Sequence, residues 1–339
     1  MNGGMSMKKW LACTAAVSAL AVSAFAMASC DNKEKVMIYT SGEDYAIEML
    51  QEKLDGQFPD YNIKIEYKST SDIAAKVIQD GADSDCDIVF EEEYGYLEQM
   101  AEKNVIADLT SFGYDYSVFT DDAIATSAKK YLLPALRTGG AVIVNTKVLS
   151  DRGLAEPATY QDLLDSKYDN LVSMPSPKSS GTGYMFYLAL VNQMGESQAI
   201  SYFDSLTPNV VQYTSSGSGP VNALVNREVA VGFGMITQAV EKINSGNTEL
   251  KILSFAEGAP FNLYGNAIVT GKETRECVKN VMDYLYNTFT DECCARYYPE
   301  PVLKNKNYVV DNFPTNITYA DMSGNTLAKK QDLLAKWTH

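Results

Sequence analysis

Hydrophobic positions along the chain switch repeatedly between two periods. Val36-Met37-Ile38-Tyr39 is a short apolar run, and 63–67 alternates apolar with charged residues, so both predict strands. Between them, 46–54 carries apolar residues at helical spacing behind the turn Thr40-Ser41-Gly42-Glu43-Asp44. The theme recurs: a helix over 70–78 opened by Ser71 and Asp72, a strand at Asp87-Ile88-Val89-Phe90, and a helix near 94–103. The middle predicts strands at 141–144, 171–174, 210–213, 229–233 and 250–255. Helices are expected from 160, from about 183 to 193, after Pro220 and over 237–243. A last strand falls at 267–269, and the rest reads as largely helical. Repeated strand–helix–strand order predicts an α/β fold, with mostly parallel sheets and right-handed crossovers.

The length of 339 residues exceeds what one core usually supports. Two lobes are therefore expected, with the chain crossing between them near 136–140 and 257–264. That division assigns 36–138 plus 259–339 to lobe 1 and 139–258 to lobe 2. Ahead of them, Lys8 and Lys9 precede an uncharged run over 10–29. The run ends in Met27-Ala28-Ser29-Cys30, the pattern of a lipoprotein signal. Residues 1–29 then form the signal, and 30–35 form a lipidated Cys30 with its tether, an acyl anchor at the outer face of a bacterial membrane. Cys86, Cys277, Cys293 and Cys294 would follow the export route, where a bridge from Cys277 to Cys293 or Cys294 is open.

Charge narrows the partners. Lys and Arg number 28 against 43 Asp and Glu, net −15, which repels nucleic-acid backbones. His339 is the only histidine, which nearly removes His-based metal sites and Ser-His-Asp or Cys-His catalysis. There is also no Gly-x-Ser-x-Gly turn for an α/β hydrolase. No metal or cofactor is expected.

Three turns share one design: each follows a strand and opens a helix. They are Thr40-Ser41-Gly42, Ser179-Ser180-Gly181-Thr182-Gly183 and Ser215-Ser216-Gly217-Ser218-Gly219. Free amides, hydroxyls and close backbone approach at a helix start make an anion cradle. The same residues also suit plain helix capping. Arg137, at the first crossing, is a candidate bidentate clamp or a surface ion pair. Glu91-Glu92-Glu93 ends a strand, so Glu91 could meet a ligand ammonium, although a charge run more often faces water. Tyr264 flanks the second crossing.

Several of these segments together resemble a known family. Tyr39-Thr40-Ser41-Gly42, Val144-Asn145-Thr146-Lys147, Pro157-Ala158-Thr159-Tyr160-Gln161-Asp162-Leu163-Leu164 and Met174-Pro175-Ser176-Pro177 run in the order seen in solute-binding proteins of ABC importers. The resemblance covers about 35–290. It is nearest the branch of ferric-ion, 2-aminoethylphosphonate and sugar-phosphate binders. It implies a two-lobed, class II periplasmic-binding-protein-like fold that closes on a solute and delivers it to a membrane permease. A monomer without enzymatic activity is expected. The ferric members carry adjacent tyrosines where this chain has Met235-Ile236-Thr237-Gln238. A phosphonate or phosphate head therefore suits the turns better, with a polyamine, thiamine or ferric ion as alternatives.

Overall fold

A computed structural model describes residues 33–339. The expected signal segment and Cys30, the candidate for lipidation, lie outside the described residues. The elements run β1 (Glu34–Thr40), α1 (Asp44–Gln57), β2 (Tyr61–Tyr67), α2 (Thr70–Asp80), β3 (Ile88–Glu93), α3 (Tyr94–Glu102) and β4 (Leu133–Asn145). They continue as α4 (Thr146–Asp151), β5 (Val172–Pro175), α5 (Gly181–Met194), α6 (Glu196–Leu206), β6 (Val210–Thr214), α7 (Gly219–Val225) and β7 (Val231–Met235). The last are α8 (Ile236–Asn244), β8 (Leu250–Leu253), β9 (Phe261–Ile268), α9 (Glu276–Tyr284), α10 (Thr290–Tyr297) and α11 (Leu327–Lys336).

The strands follow one another as β2-β1-β3-β9-β4-β7-β5-β6, with β8 also on β4. Pairing is parallel at both outer ends, in β2-β1-β3 and in β7-β5-β6. Around β4 and β9 it is antiparallel. β4 is the hinge element. Its first half pairs with β9, from Leu133↔Asn266 to Gly139↔Phe261. From Gly140 onward it pairs with β7, and from Val142 onward also with β8. The change of partners separates two lobes with their own cores. Ile38, Leu50, Phe90 and Val281 pack the first, and Val144, Tyr184, Phe203 and Phe233 pack the second.

Helix starts have identifiable caps. Ser69 accepts from the Asp72 amide at 3.2 Å and begins α2, while Ser180 accepts from the Gly183 amide at 3.4 Å and begins α5. α5 is buried all round from Gly181 to Val191, which explains its weak amphipathic pattern.

Three expectations need correction. The tail is not all helix, because α10 ends at Tyr297 and α11 begins only at Leu327. Nor does it stay with the first lobe. Val310, Phe313 and Ile317 pack against the second lobe, as do Leu333 and Trp337. Their apolar side chains complete that lobe's surface where α5, α6 and α8 leave it open. Finally, Cys86, Cys277, Cys293 and Cys294 are buried free thiols, so the possible bridge is not formed.

Candidate functional site

Ligands of open α/β sheets bind beyond the carboxyl ends of strands. Here the ends of β1, β2, β3, β5, β6 and β7 converge on a single cleft between the lobes. It holds about 480 Å³, its open mouth included. The first lobe contributes Ser41, Gly42, Glu43, Tyr67, Thr70, Glu91 and Tyr264, and the second contributes Ser179 to Thr182 and Ser215 to Gly217.

Most of the sequence-derived candidates therefore meet. Ser41, Gly42, Glu91, Ser179, Ser180, Gly181, Thr182, Ser215, Ser216, Gly217 and Tyr264 all line the cleft. Thr40, Ser218 and Arg137 do not. Thr40 is fully buried and uses its hydroxyl to accept the Gly42 amide at 2.9 Å. Ser218 shares a hydroxyl hydrogen bond with Ser216 at 2.6 Å, one layer back from the cavity.

Arg137 corrects the clamp reading. Successive residues of a strand face opposite sides, and Leu136 and Thr138 are the ones that line the cleft. Arg137 accordingly points away. Its guanidinium lies between the rings of Phe261 and Tyr319, at 3.9 and 4.3 Å from their centroids, with Glu300 3.8 Å away. It sits just before the point where β4 changes lobes, outside the lining of the cleft. Burial pushes the Glu300 carboxyl up to about 7 against the opposing pull of Arg137.

Residues that the sequence reading did not propose also line the cleft: Glu43, Tyr67, Ser69, Thr70, Leu136, Thr138, Met235 and Tyr298. Ser69-Thr70-Ser71 follows β2 and opens α2, so it carried the same signal as the other turns, without glycine. Tyr298 lies in a non-helical stretch after α10, and nothing local in the sequence marks it.

The acidic side is built by backbone distortion. The β3–β9 register shifts between Val89 and Glu92, and Glu91 takes φ +51°, a left-handed conformation unusual for this residue. The Asn266 side chain accepts the Glu91 amide at 2.9 Å, and the Ser41 hydroxyl donates to the Glu91 carbonyl at 2.5 Å. Held this way, Glu91 turns its carboxylate toward Gly42. A Cβ on Gly42 would lie 2.5 Å from Glu91 Oε2, so only glycine leaves the carboxylate its place. The run 91–93 is thus wholly buried rather than solvated.

Burial, reinforced by Glu43, lifts the Glu91 carboxyl to about 8. Burial also lifts the half-buried Glu43 to about 8, helped by Asp44 and opposed by Lys242. No Lys or Arg lines the cleft among the described residues. Two carboxyls that hold their protons for want of a lining cation favour a positively charged group, which would take the protons' place.

The opposite wall is neutral and rich in donors. Ser180 Oγ accepts its capping bond, which leaves its O–H to donate into the cavity. The Ser179 hydroxyl is buried without a partner. The lobes touch here: the Gly181 amide donates to Thr70 Oγ1 at 3.1 Å, and Ser71 donates to the Ser179 carbonyl at 3.2 Å. The arrangement is a closed one. Ser180 therefore caps α5 and also lines the cavity.

Residues 39–288 match the family described as bacterial extracellular solute-binding proteins. The chain belongs to that family. Among solved structures, it superposes on the periplasmic binding protein AfuA from Actinobacillus pleuropneumoniae, with exogenous fructose-6-phosphate bound. The TM-score is 0.78 at 21% identity, over 90% of this chain and 98% of that one. The periplasmic binding protein P5PA gives 0.77 at 19% identity, over the same shares. At these identities the likeness establishes the two-lobed α/β fold. An uncharacterized protein of Haemophilus influenzae is 33% identical over 143 residues, 42% of this chain and 41% of that one. The chain thus spans about two fifths of that relative's length. As a bacterial extracellular solute-binding protein, it is placed on the outer side of the cell membrane. No described helix is long and apolar enough to cross a membrane.

Proposed function

We propose that this solute-binding protein is the receptor of an ABC importer, tethered through a lipidated Cys30, which captures a small solute without altering it and delivers it to the permease. The solute we infer bears a phosphonate- or phosphate-type head and a protonated amine. One observation carries this: a wall of hydroxyls and amides from 179–182 and 215–217 faces Glu43 and Glu91 across a single cavity. Donors that carry no charge of their own suit an oxyanion. A buried and a half-buried carboxyl beside Tyr67, Tyr264 and Tyr298 suit an ammonium. The first lobe comprises 36–138 and 259–309, and the second comprises 139–258 and 310–339.

A second reading is a purely cationic solute such as a polyamine or thiamine, favoured by the lack of any lining Lys or Arg. A ferric ion is less suited, since Met235-Ile236-Thr237-Gln238 stands where the ferric members carry adjacent tyrosines. Mass spectrometry of the co-purifying solute, with thermal shifts for phosphate, 2-aminoethylphosphonate and spermidine, separates these readings. We expect 2-aminoethylphosphonate to stabilise the protein most. Stabilisation by phosphate alone, or by spermidine alone, would refute the dual-headed solute.

A further inference from the structure

The C-terminal helix α11 lies beyond the stretch that matches the family. It is seated firmly on the second lobe. The Trp337 ring packs 5.2 Å from Tyr187, 5.0 Å from Phe203 and 5.5 Å from Tyr213. Lys336 pairs with Glu196 at 2.7 Å, and Lys329 donates to Asn192 at 3.0 Å. From this seat Lys330 points the opposite way, into the first lobe.

There it forms an ion pair with Glu93, at the end of β3. Its ammonium lies 3.6 Å from the ring centroid of Tyr96 in the first lobe and 4.8 Å from that of Tyr184 in the second. Lys330 is 2% exposed and Glu93 is 1% exposed. A lysine is almost never buried so deeply unless its charge is paired. The chain makes room for it at Gly95, where a Cβ would lie 3.1 Å from Lys330 Cδ. Glu93 in turn packs on the first residue of α5: a Cβ on Gly181 would lie 3.2 Å from Glu93 Cγ. Gly181 lines the cleft, whereas Glu93 and Lys330 stand directly behind its wall.

We propose that Glu93 and Lys330 form an interlobe latch that sets how much of the ligand-free protein is closed. Neither is a ligand contact; both are positioning residues that hold the start of α5 against Thr70. The latch works by mutual neutralisation. Closing buries two charges that cancel, and opening returns both to water. Removing one partner forces closure to bury a lone charge, which is far more costly than removing both. Without Lys330, Glu93 would be buried beside Glu92, whose Oε2 already lacks a partner. The latch rests on the solute-binding reading only for the purpose of the cleft, and its test needs no solute.

Single-molecule energy transfer on the ligand-free protein measures the closed-to-open ratio directly. Dyes on Asp60→Cys and Glu228→Cys mark exposed sites on the two lobes, because the described native thiols are buried. Lys330→Met and Glu93→Gln should each lower the ratio at least about tenfold, and Glu93→Gln/Lys330→Met should recover most of the loss. Glu93→Gln keeps the side chain's shape, so it carries the test if Lys330→Met fails to fold, with circular dichroism as the control. A parent with no closed population would overturn the latch. So would single variants that close like the parent, or a double variant as impaired as the worse single one. Failure of every candidate solute to bind would sink the ligand reading alone and leave these outcomes unchanged.

Discussion

Replacing Glu91 by Gln tests whether the cleft is a place where carboxylates are kept neutral. Glu91 is 3% exposed, and its carboxyl is lifted from an ordinary 4.5 to about 8, by burial first and Glu43 second. The sign follows from proton counting. Between those two values the folded protein binds a proton that the unfolded chain has released, so stability falls as pH rises through the window. It is full below pH 4.5 and lost above about pH 8. Each tenfold displacement is worth about 1.4 kcal/mol, which makes the loss at most about 5 kcal/mol. Opening of the lobes caps it lower, because the carboxylate can then reach water. Glu91→Gln keeps the shape and cannot ionise. Denaturant melts of ligand-free parent and variant from pH 4.5 to 9 should therefore coincide at the acid end. At pH 8 the variant should be the more stable by about 1–5 kcal/mol. Parallel pH profiles, or a variant less stable at pH 8, would refute the neutral-carboxyl cleft.

Other substitutions separate structural roles from binding roles. Ser180→Ala removes the α5 cap, which should cost about 1 kcal/mol of ligand-free stability by calorimetry. It also removes a donor to the oxyanion, lowering affinity for a bound solute by about ten- to hundredfold in titration. Gly42→Ala places a methyl group 2.5 Å from Glu91 Oε2. The displaced carboxylate should abolish the solute-induced thermal shift, while circular dichroism still shows a folded protein. Arg137→Met dismantles the stack between Phe261 and Tyr319 and leaves Glu300 unpaired, which should lower the melting temperature with a loss of about 1–3 kcal/mol. Because Arg137 points away from the cleft, that variant should rank candidate solutes in the same order as the parent.

The fold was legible where strands are purely apolar and illegible where they serve the cleft or the hinge. β1, β3 and β7 read directly from continuous apolar runs. β4 and β9 read only in part, as 141–144 and 267–269, although they span Leu133–Asn145 and Phe261–Ile268. Pro134 and the pair Gly139-Gly140 look like strand breakers. The structure absorbs Pro134 at a register shift between Pro134 and Leu136, and uses Gly139-Gly140 as the point where β4 changes lobes. α6 was passed over even though Ala199, Tyr202, Phe203 and Leu206 make a regular buried face. In that case the signal was present.

The candidate site shows the same division at finer scale. The Ser/Gly turns were legible because their chemistry is local: a strand end, a helix start and a run of small hydroxyl residues. The acidic wall was not, because each part depends on partners far away in sequence. Asn262 and Asn266 interrupt the apolar pattern of β9, yet Asn262 donates to the Gly181 carbonyl at 2.8 Å and Asn266 holds the Glu91 amide. The polar residues that hide this strand from periodicity are therefore the ones that fix both walls of the cleft. Glu91 follows the same logic. In a regular strand, 91 and 93 would share one face and 92 would take the other. The bulge breaks that alternation, so that Glu91 enters the cleft while Glu93 turns to Lys330, 237 residues away. A strand that sends one carboxylate into the cleft and another to an ion pair with Lys330 cannot keep a simple period. That departure, together with burial, distinguishes the run 91–93 from an ordinary solvated charge cluster.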